Sequence, residues 1–372
     1  MRLWAVLSEV WRNVGAGTAH ALVMAIAVLL AGGLLGGYEA VSVETLESQA
    51  VTRIRAYADV KTVVGSPVDG AACDALAAPA SSSSSASASG LPSVSGAMRQ
   101  GPQVTPLATP GRDVSSYEVT PGMIRLITAT DHTRRADASG VWVSTAMARD
   151  FGLTTGSPLP TDKGATHVAG VFDWPNDGRD TRFAYAIVTP VSPSDGTFEE
   201  CWAKQWPADS VLDTLLLSVA RVPDVTGASP GSAGVTALNK GFDSHYDAQA
   251  SYANRPTRSM PYAGLAIGLL MGVIAVRRRR LEYAGALHSG QSKGAQLFGV
   301  GVETLVWSGA GTIVSISLIG AYCARMVTSD PLAVFQTAIR TPIALLAGAL
   351  IAALLTALTI RESQLFHYFK TR

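Results

Sequence analysis

Four apolar runs constrain this chain more than any other feature, at about residues 19–38, 260–276, 297–321 and 342–360. The first, third and fourth reach the ~18–20 residues that a helix needs to cross the hydrocarbon core of a bilayer. The second is short for that role. It holds only Met, Pro, Tyr, Gly, Ala, Leu, Ile and Val, and it reads as a span as well. The fold class is therefore an α-helical membrane protein with four transmembrane helices in a 1+3 arrangement. Residues 39–259 are inserted between the first and second helices, residues 322–341 form a short loop, and residues 361–372 form a tail.

Charge gives the expected orientation. Segments 1–18, 277–296 and 361–372 carry ten Lys and Arg against three Glu, a balance of +7. Segment 39–259 carries 17 Lys and Arg against 23 Asp and Glu, a balance of −6. Excess Lys and Arg in short loops marks the cytoplasmic side. Both termini and the arginine run are thus expected in the cytoplasm, with 39–259 and the 322–341 loop outside.

The first apolar run exceeds the ~7–15 residues of a signal-peptide core, so it reads as an uncleaved span. Before it, Leu3, Leu7, Val10, Trp11 and Val14 recur at helical spacing with Trp4 beside them. That pattern suits a helix over 1–18 lying in the membrane interface. After the span, Leu46, Ala50, Ile54 and Ala58 recur every four residues, so the helix extends as a stalk.

The inserted domain reads as α+β. "KTVVGS" has strand content, and residues 79–96 include the Ser-rich "PASSSSSASASG", a flexible insert. "EVTPGMIRLIT" reads as a strand followed by a second strand or a helix. "GVWVSTAMARDFGLTTGSPL" gives a strand and then a helix from an Ser144 N-cap to Phe151, closed by Gly152. "THVAGVF" and "RFAYAIVTPV" read as strands with "DWPNDGRD" as the turn between them. "FEECWAKQW" and "ADSVLDTLLLSVA" fit helix or strand, and 236–258 reads as a polar helix returning to the membrane. Cys73 and Cys201 both fall outside, where disulfides persist, so a bond between them is expected. The plainer alternative is that Cys201 is a small buried residue beside Trp202.

No enzyme signature survives inspection. "GALHSGQS" has Gly285 and Gly290 at phosphate-loop separation, but Gln291 stands where the lysine must be. "DWPNDGRD" lacks the ligands of a calcium loop, with Pro175 at its third position and Ala184 at its twelfth. His132, His167 and His245 form no metal-binding spacing. Glu303 is the ionisable residue within the spans. Such groups are functional candidates by default, although one so near the interface can simply pair with a nearby Lys or Arg. The Gly- and Ala-rich spans favour close helix packing over a polar pore.

Between the second and third runs stands "RRRRLEYAGALHSGQSKGAQL". In this architecture the stretch resembles the basic cytoplasmic helix of the FtsX/MacB-type permeases of ABC transporters. Arg278, Arg280, Glu282, Leu287 and Gly290 match, while Leu281 separates the arginines from Glu282 and "HSGQSK" replaces an Ala-Leu-Gly-Ala pattern. "GVETLVWSGAG" resembles the start of that family's third span, with Glu303 at its acidic position, and 141–172 is similar to its strand–helix–strand unit.

The resemblance implies a permease subunit in the plasma membrane of a bacterium, acting by mechanotransmission. ATP and Mg would be bound by a separate cytoplasmic ABC ATPase, with no cofactor on this chain. Its partners would be that ATPase, membrane lipids and a second permease copy or paralogue forming a dimer; nucleic acid is not expected. Movement of the external domain would expel or extract a peptide or lipid-linked cargo. The coupling element would be 277–296, with Arg278, Arg280, Glu282, Tyr283, Leu287 and Gly290 as its contact residues. Tyr283 and Leu287, spaced i, i+4, would present an exposed apolar face to the ATPase. The alternative is a sensor or envelope scaffold that binds a partner through the external domain.

Overall fold

The computed structural model describes residues 4, 8, 11–13, 15, 16, 20–77, 91–128, 138–207, 209–221, 233–244 and 246–362. The interfacial helix expected over 1–18 lies mostly outside them, as do His132, His245 and positions 79–90 of the Ser-rich insert. The chain forms two compact units, Met1–Gln49 with Ala250–Arg372, and Ala50–Gln249.

The first unit contains helices long and apolar enough to cross a membrane, and the fold is the 1+3 arrangement of a multi-pass membrane protein with an inserted domain. Helix α1, Ala21–Arg55, is continuous over 35 residues. The others are α7 (Met260–Arg278), α9 (Lys293–Met326) and α11 (Arg340–Thr359). Between α7 and α9 lies the short α8 (Arg280–His288). Before α7 come α6 (Ala248–Ala253) and a 3-10 turn over Pro256–Ser259.

Apolar spans in lipid gain little by excluding water from one another, so close packing and polar contacts hold them together. Helix α7 places Gly264, Gly268 and Gly272 on one face, spaced by four residues. A Cβ at these positions would run into the backbone of α11 at Thr341, Leu345 and Ala349. The absent side chains thus allow the two backbones to touch.

The loop expected over 322–341 is mostly helical. α9 continues to Met326, and α10 (Pro331–Ala338) starts at Asp330, whose carboxylate accepts from Leu332 and Ala333 N–H at 3.1 Å. Val334 and Ala338 are buried against Ile319 and Val327, and this apolar stripe turns the segment into a helix.

Among the described residues, the second unit is built on a nine-stranded sheet. Its strands are β1 (Val60–Val64), β2 (Val94–Gln100), β3 (Ser116–Val119), β4 (Val141–Ser144), β5 (Pro158–Thr161), β6 (Gly164–Phe172), β7 (Ile187–Pro190), β8 (Glu200–Lys204) and β9 (Gly234–Ala237). They lie in the order β5-β6-β4-β7-β3-β2-β8-β1-β9, with β3–β7 and β4–β6 parallel. Among the described residues, helices α2 (Gly70–Ala75), α3 (Pro121–Thr128), α4 (Thr145–Phe151) and α5 (Val211–Ser218) accompany it. Ser144 accepts from Met147 N–H and Gly152 ends α4 in the left-handed conformation, as the sequence indicates.

Two expectations for this unit are corrected. The flexible insert does not extend to 96, because β2 begins at Val94 and is buried from there to Met98. Gly96 has no side chain because α3 lies against it, and a Cβ would overlap the Met123 backbone. The start of the polar helix expected over 236–258 is instead β9, whose Val235 and Thr236 pair with Val63 and Thr62 of β1. Strand pairing decides the conformation where polar composition does not.

Cys73 of α2 and Cys201 of β8 are joined, both fully buried, with Cα atoms 5.9 Å apart. The core beside them is aromatic: Trp174, Phe183 and Trp202 meet at centroid distances of 5.3–6.2 Å. Residues 50–55, the last of α1, belong to this unit and are held within it. Arg179, 4% exposed, stacks 4.2 Å over Tyr57 and donates to the Arg55 carbonyl at 2.8 Å. Asn239 donates to the Ala56 carbonyl at 2.7 Å. Cationic and amide donors thereby satisfy carbonyls that a helix end leaves free.

Asp59 follows these contacts in the chain. Its side chain is inaccessible, neither carboxylate oxygen has a hydrogen bond, and the Lys204 ammonium stands 3.7 Å away. Burial pushes its pKa up to about 6, against the pull of Lys204. A raised carboxyl pKa favours the folded state while the group is protonated, and that contribution is lost as pH rises through about 6. Asp59→Asn should therefore be stabilising by about 1–3 kcal/mol at pH 7 and close to neutral near pH 4. Thermal unfolding of the full chain in detergent across that range checks the sign.

Candidate functional site: the charged elbow

Arg279 breaks the helix between α7 and α8, with φ −108° and ψ 16°. Its side chain does not join the solvated arginines beside it. The guanidinium turns inward, 8% exposed as a residue, and pairs through Nη1 with Glu303 Oε1 of α9. Its Nε donates to Glu282 Oε2 at 2.7 Å, and its Cζ lies 5.2 Å from the Tyr283 ring centre. Burial first, and then the neighbouring Glu303 carboxylate, push the Tyr283 hydroxyl pKa up, so this phenol stays neutral.

Glu303 lies about three turns into α9, deeper in its helix than an apolar run starting at 297 suggests. It is a paired carboxylate. Removing either partner of a buried pair leaves an uncompensated charge at a cost of about 3–5 kcal/mol.

The inner face of α8 completes the attachment. Ala284 and Leu287 pack with Val276, Val300, Ala353, Ala357 and Ile360, contributed by α7, α9 and the end of α11. Lys293 Nζ donates to the Ile360 carbonyl, and His288 Nδ1 meets Glu362 Oε1 at 2.8 Å. The chain then turns at Gly290, φ +93°, and α9 starts at Ser292, which accepts from Ala295 N–H at 3.3 Å.

Among the expected contact residues, Arg278, Glu282 and Gly290 are exposed, Arg280 and Tyr283 are half-buried, and Leu287 is buried. The exposed apolar face assigned to Tyr283 and Leu287 is a correction: that stripe points into the chain's own spans. The i, i+4 spacing identifies an apolar stripe without saying what covers it. The coupling helix expected over 277–296 is also shorter, since only Arg280–His288 forms α8. The exposed residues of the elbow are Arg277, Arg278, Glu282, His288 and Ser289–Gly290.

A second buried carboxylate went unnoticed in the sequence. Glu39 of α1 is 1% exposed. It accepts from Thr341 Oγ1 at 2.8 Å and pairs with Arg255 at 3.5 Å. Arg255 in turn stacks 4.0 Å over Tyr252. The signal was spacing: Val28, Gly32, Gly36, Glu39 and Val43 share the buried face of α1. A span ended at residue 38 separates the carboxylate from the small-residue stripe to which it belongs. His167, without metal-binding neighbours in the sequence, lies 3.2 Å from Ser139 Oγ.

No family model matches the chain, and no curated protein matches it. Among solved structures, it is similar to a domain of a candidate permease protein from Porphyromonas gingivalis. The TM-score is 0.30 at 14% identity, over 44% of this chain and 83% of that one.

Because Leu287 is buried, Leu287→Asp should act on folding before it acts on any partner. An unpaired carboxylate in this apolar contact should cost more than about 2 kcal/mol and lower the level of inserted protein. Quantitative immunoblotting of membranes checks this, with Ser289→Asp, at an exposed position, expected to leave the level unchanged.

Proposed function

We propose that the chain is the membrane subunit of an FtsX/MacB-type ABC transporter, and that α8 receives the stroke of a separate cytoplasmic ATPase. The observation that carries this reading is the two-sided character of the elbow. Its inner face is held by a buried ion pair and by apolar contacts from three spans, while its outer face presents Arg277, Arg278 and His288. A force applied to such a surface passes to the spans instead of bending a loose linker.

The charge asymmetry supports an orientation with the elbow in the cytoplasm and the sheet domain outside. The continuous helix α1 and the Gly-rich α7–α11 contact suit movement of helices as rods, without a polar conduit. The substrate class consistent with this reading is a peptide or lipid-linked molecule handled by the external domain, with the permease working as a dimer.

Co-purification tests the reading. Arg277→Glu with Arg278→Glu should leave Arg279, Arg280 and Lys293 to hold topology. It should weaken association of the ATPase by about tenfold or more, since interface charges steer encounter and exclude wrong charge pairs. Normal membrane insertion with undiminished ATPase association and turnover would reduce α8 to an anchor.

A further inference from the structure

The turn that follows α1 holds an unfavourable backbone. Tyr57 has φ +59°, a left-handed conformation that a bulky side chain rarely adopts. Its hydroxyl donates to the Leu126 and Ile127 carbonyls at 2.8 and 3.2 Å, and the Arg179 guanidinium covers its ring. The Ala56 and Ala58 amides donate back to the Thr52 and Arg53 carbonyls at 2.9 Å. Strain of this kind persists only where the surroundings over-determine the backbone.

Asp59 stands two residues further on with an unmet need. Its side chain has no access to solvent, and its carboxylate makes no hydrogen bond. The Asp59 carbonyl accepts from Gln205 N–H at 3.0 Å, and Val60 pairs with Lys204 across β1 and β8. The backbone therefore cannot carry the carboxylate to water while the turn stays closed.

Among the described residues, Lys204 of β8 is the charged group that bears on it directly. The Lys204 ammonium stands 3.7 Å away, beyond hydrogen-bond length, and also lies 5.1 Å from the Tyr57 ring centre. Across that ring are Arg179 and its carboxylate partner Asp177. Tyr57 itself, pushed up to about 12 chiefly by burial, stays neutral. Asp59, which burial pushes up to about 6 against Lys204, does not. A neutral carboxyl costs far less to bury than an ionised one. Opening the turn to water relieves the ionised form, and the strain at Tyr57 favours the same movement.

We propose that Asp59 is a proton-operated catch on the last turn of α1. Protonated, it leaves the turn 56–59 closed against the sheet. Ionised, it favours an open turn, in which the Arg55 and Ala56 carbonyls lose their donors Arg179 and Asn239. The closed turn binds the proton more tightly than the open one. Its advantage is therefore full below the ordinary carboxylate range and is lost as pH rises through about 6.

Amide hydrogen exchange of the full chain in detergent tests this, with exchange times scaled for the intrinsic pH dependence of the rate. In wild type, protection of the Ala56, Tyr57 and Ala58 amides should fall about tenfold between pH 5 and pH 7.5, the change supplied by a carboxyl that returns to its ordinary pKa on opening. The amides of α4, which packs by β4 and away from β1 and β8 in the sheet, should not share the fall. Asp59→Asn should hold protection at its acid level throughout. Lys204→Met removes the cation and should move the midpoint up by about one pH unit.

Protection independent of pH in wild type would overturn the catch. So would a fall that survives Asp59→Asn, or one that α4 shares, which would be global unfolding. A midpoint that Lys204→Met leaves in place or lowers would overturn it as well. Should Lys204→Met fail to insert, Asp59→Asn alone decides between these outcomes.

Discussion

The buried pair of Arg279 and Glu303 is the interaction on which the membrane unit's elbow depends. Charges withdrawn from water are held at a cost, and the cost is tolerable only while each finds the other. The pair therefore specifies position more than it adds stability. It requires the end of α7 to stand beside one particular turn of α9, and this places α8 where Ala284 and Leu287 reach α11. A slide of one helical turn, about 5.4 Å, would separate the charges and empty the apolar contact together.

The same division of labour recurs elsewhere in the membrane unit. Small residues decide how close the helices come: Gly264, Gly268 and Gly272 let α7 meet the backbone of α11, and Gly32 and Gly36 let α1 approach Pro342 and Ile319. Closeness alone does not fix register, because apolar surfaces slide over one another with little penalty. Glu39, bound to Thr341 and Arg255, supplies that register for α1. Each polar junction lies near a span end, one involving the elbow and the other involving the segment that precedes α7.

The sequence revealed local features well and partnerships poorly. Ser144 and Gly152 bounded their helix because caps act within a single turn. Glu303 stood out because a carboxylate in an apolar run needs a partner, and the nearby arginine run offered one. Leu287 was misassigned to a docking surface because an apolar stripe looks the same whether another subunit or the chain's own spans cover it. Glu39 was lost because the hydropathy of a run falls off before the helix does. β2 and β9 were missed because Gly96 and Thr236 carry little strand signal of their own; their conformation comes from α3 and from β1, distant in sequence. Arg179, which donates to the Arg55 carbonyl, sits in a turn whose composition suggested only a change of direction, and Asn239, which donates to the Ala56 carbonyl, lies in the stretch read as a polar helix.

A double-mutant cycle on Arg279 and Glu303 tests the central claim most directly. Arg279→Met, Glu303→Met and the double variant would be unfolded thermally in the same detergent, with membrane levels followed in parallel. Each single change should be strongly destabilising, and the double variant should recover much of the loss, for a coupling of about 2 kcal/mol or more. Additive effects within about 0.5 kcal/mol would mean that the two charges are solvated independently, and that the elbow is not fastened to the third span by their pairing.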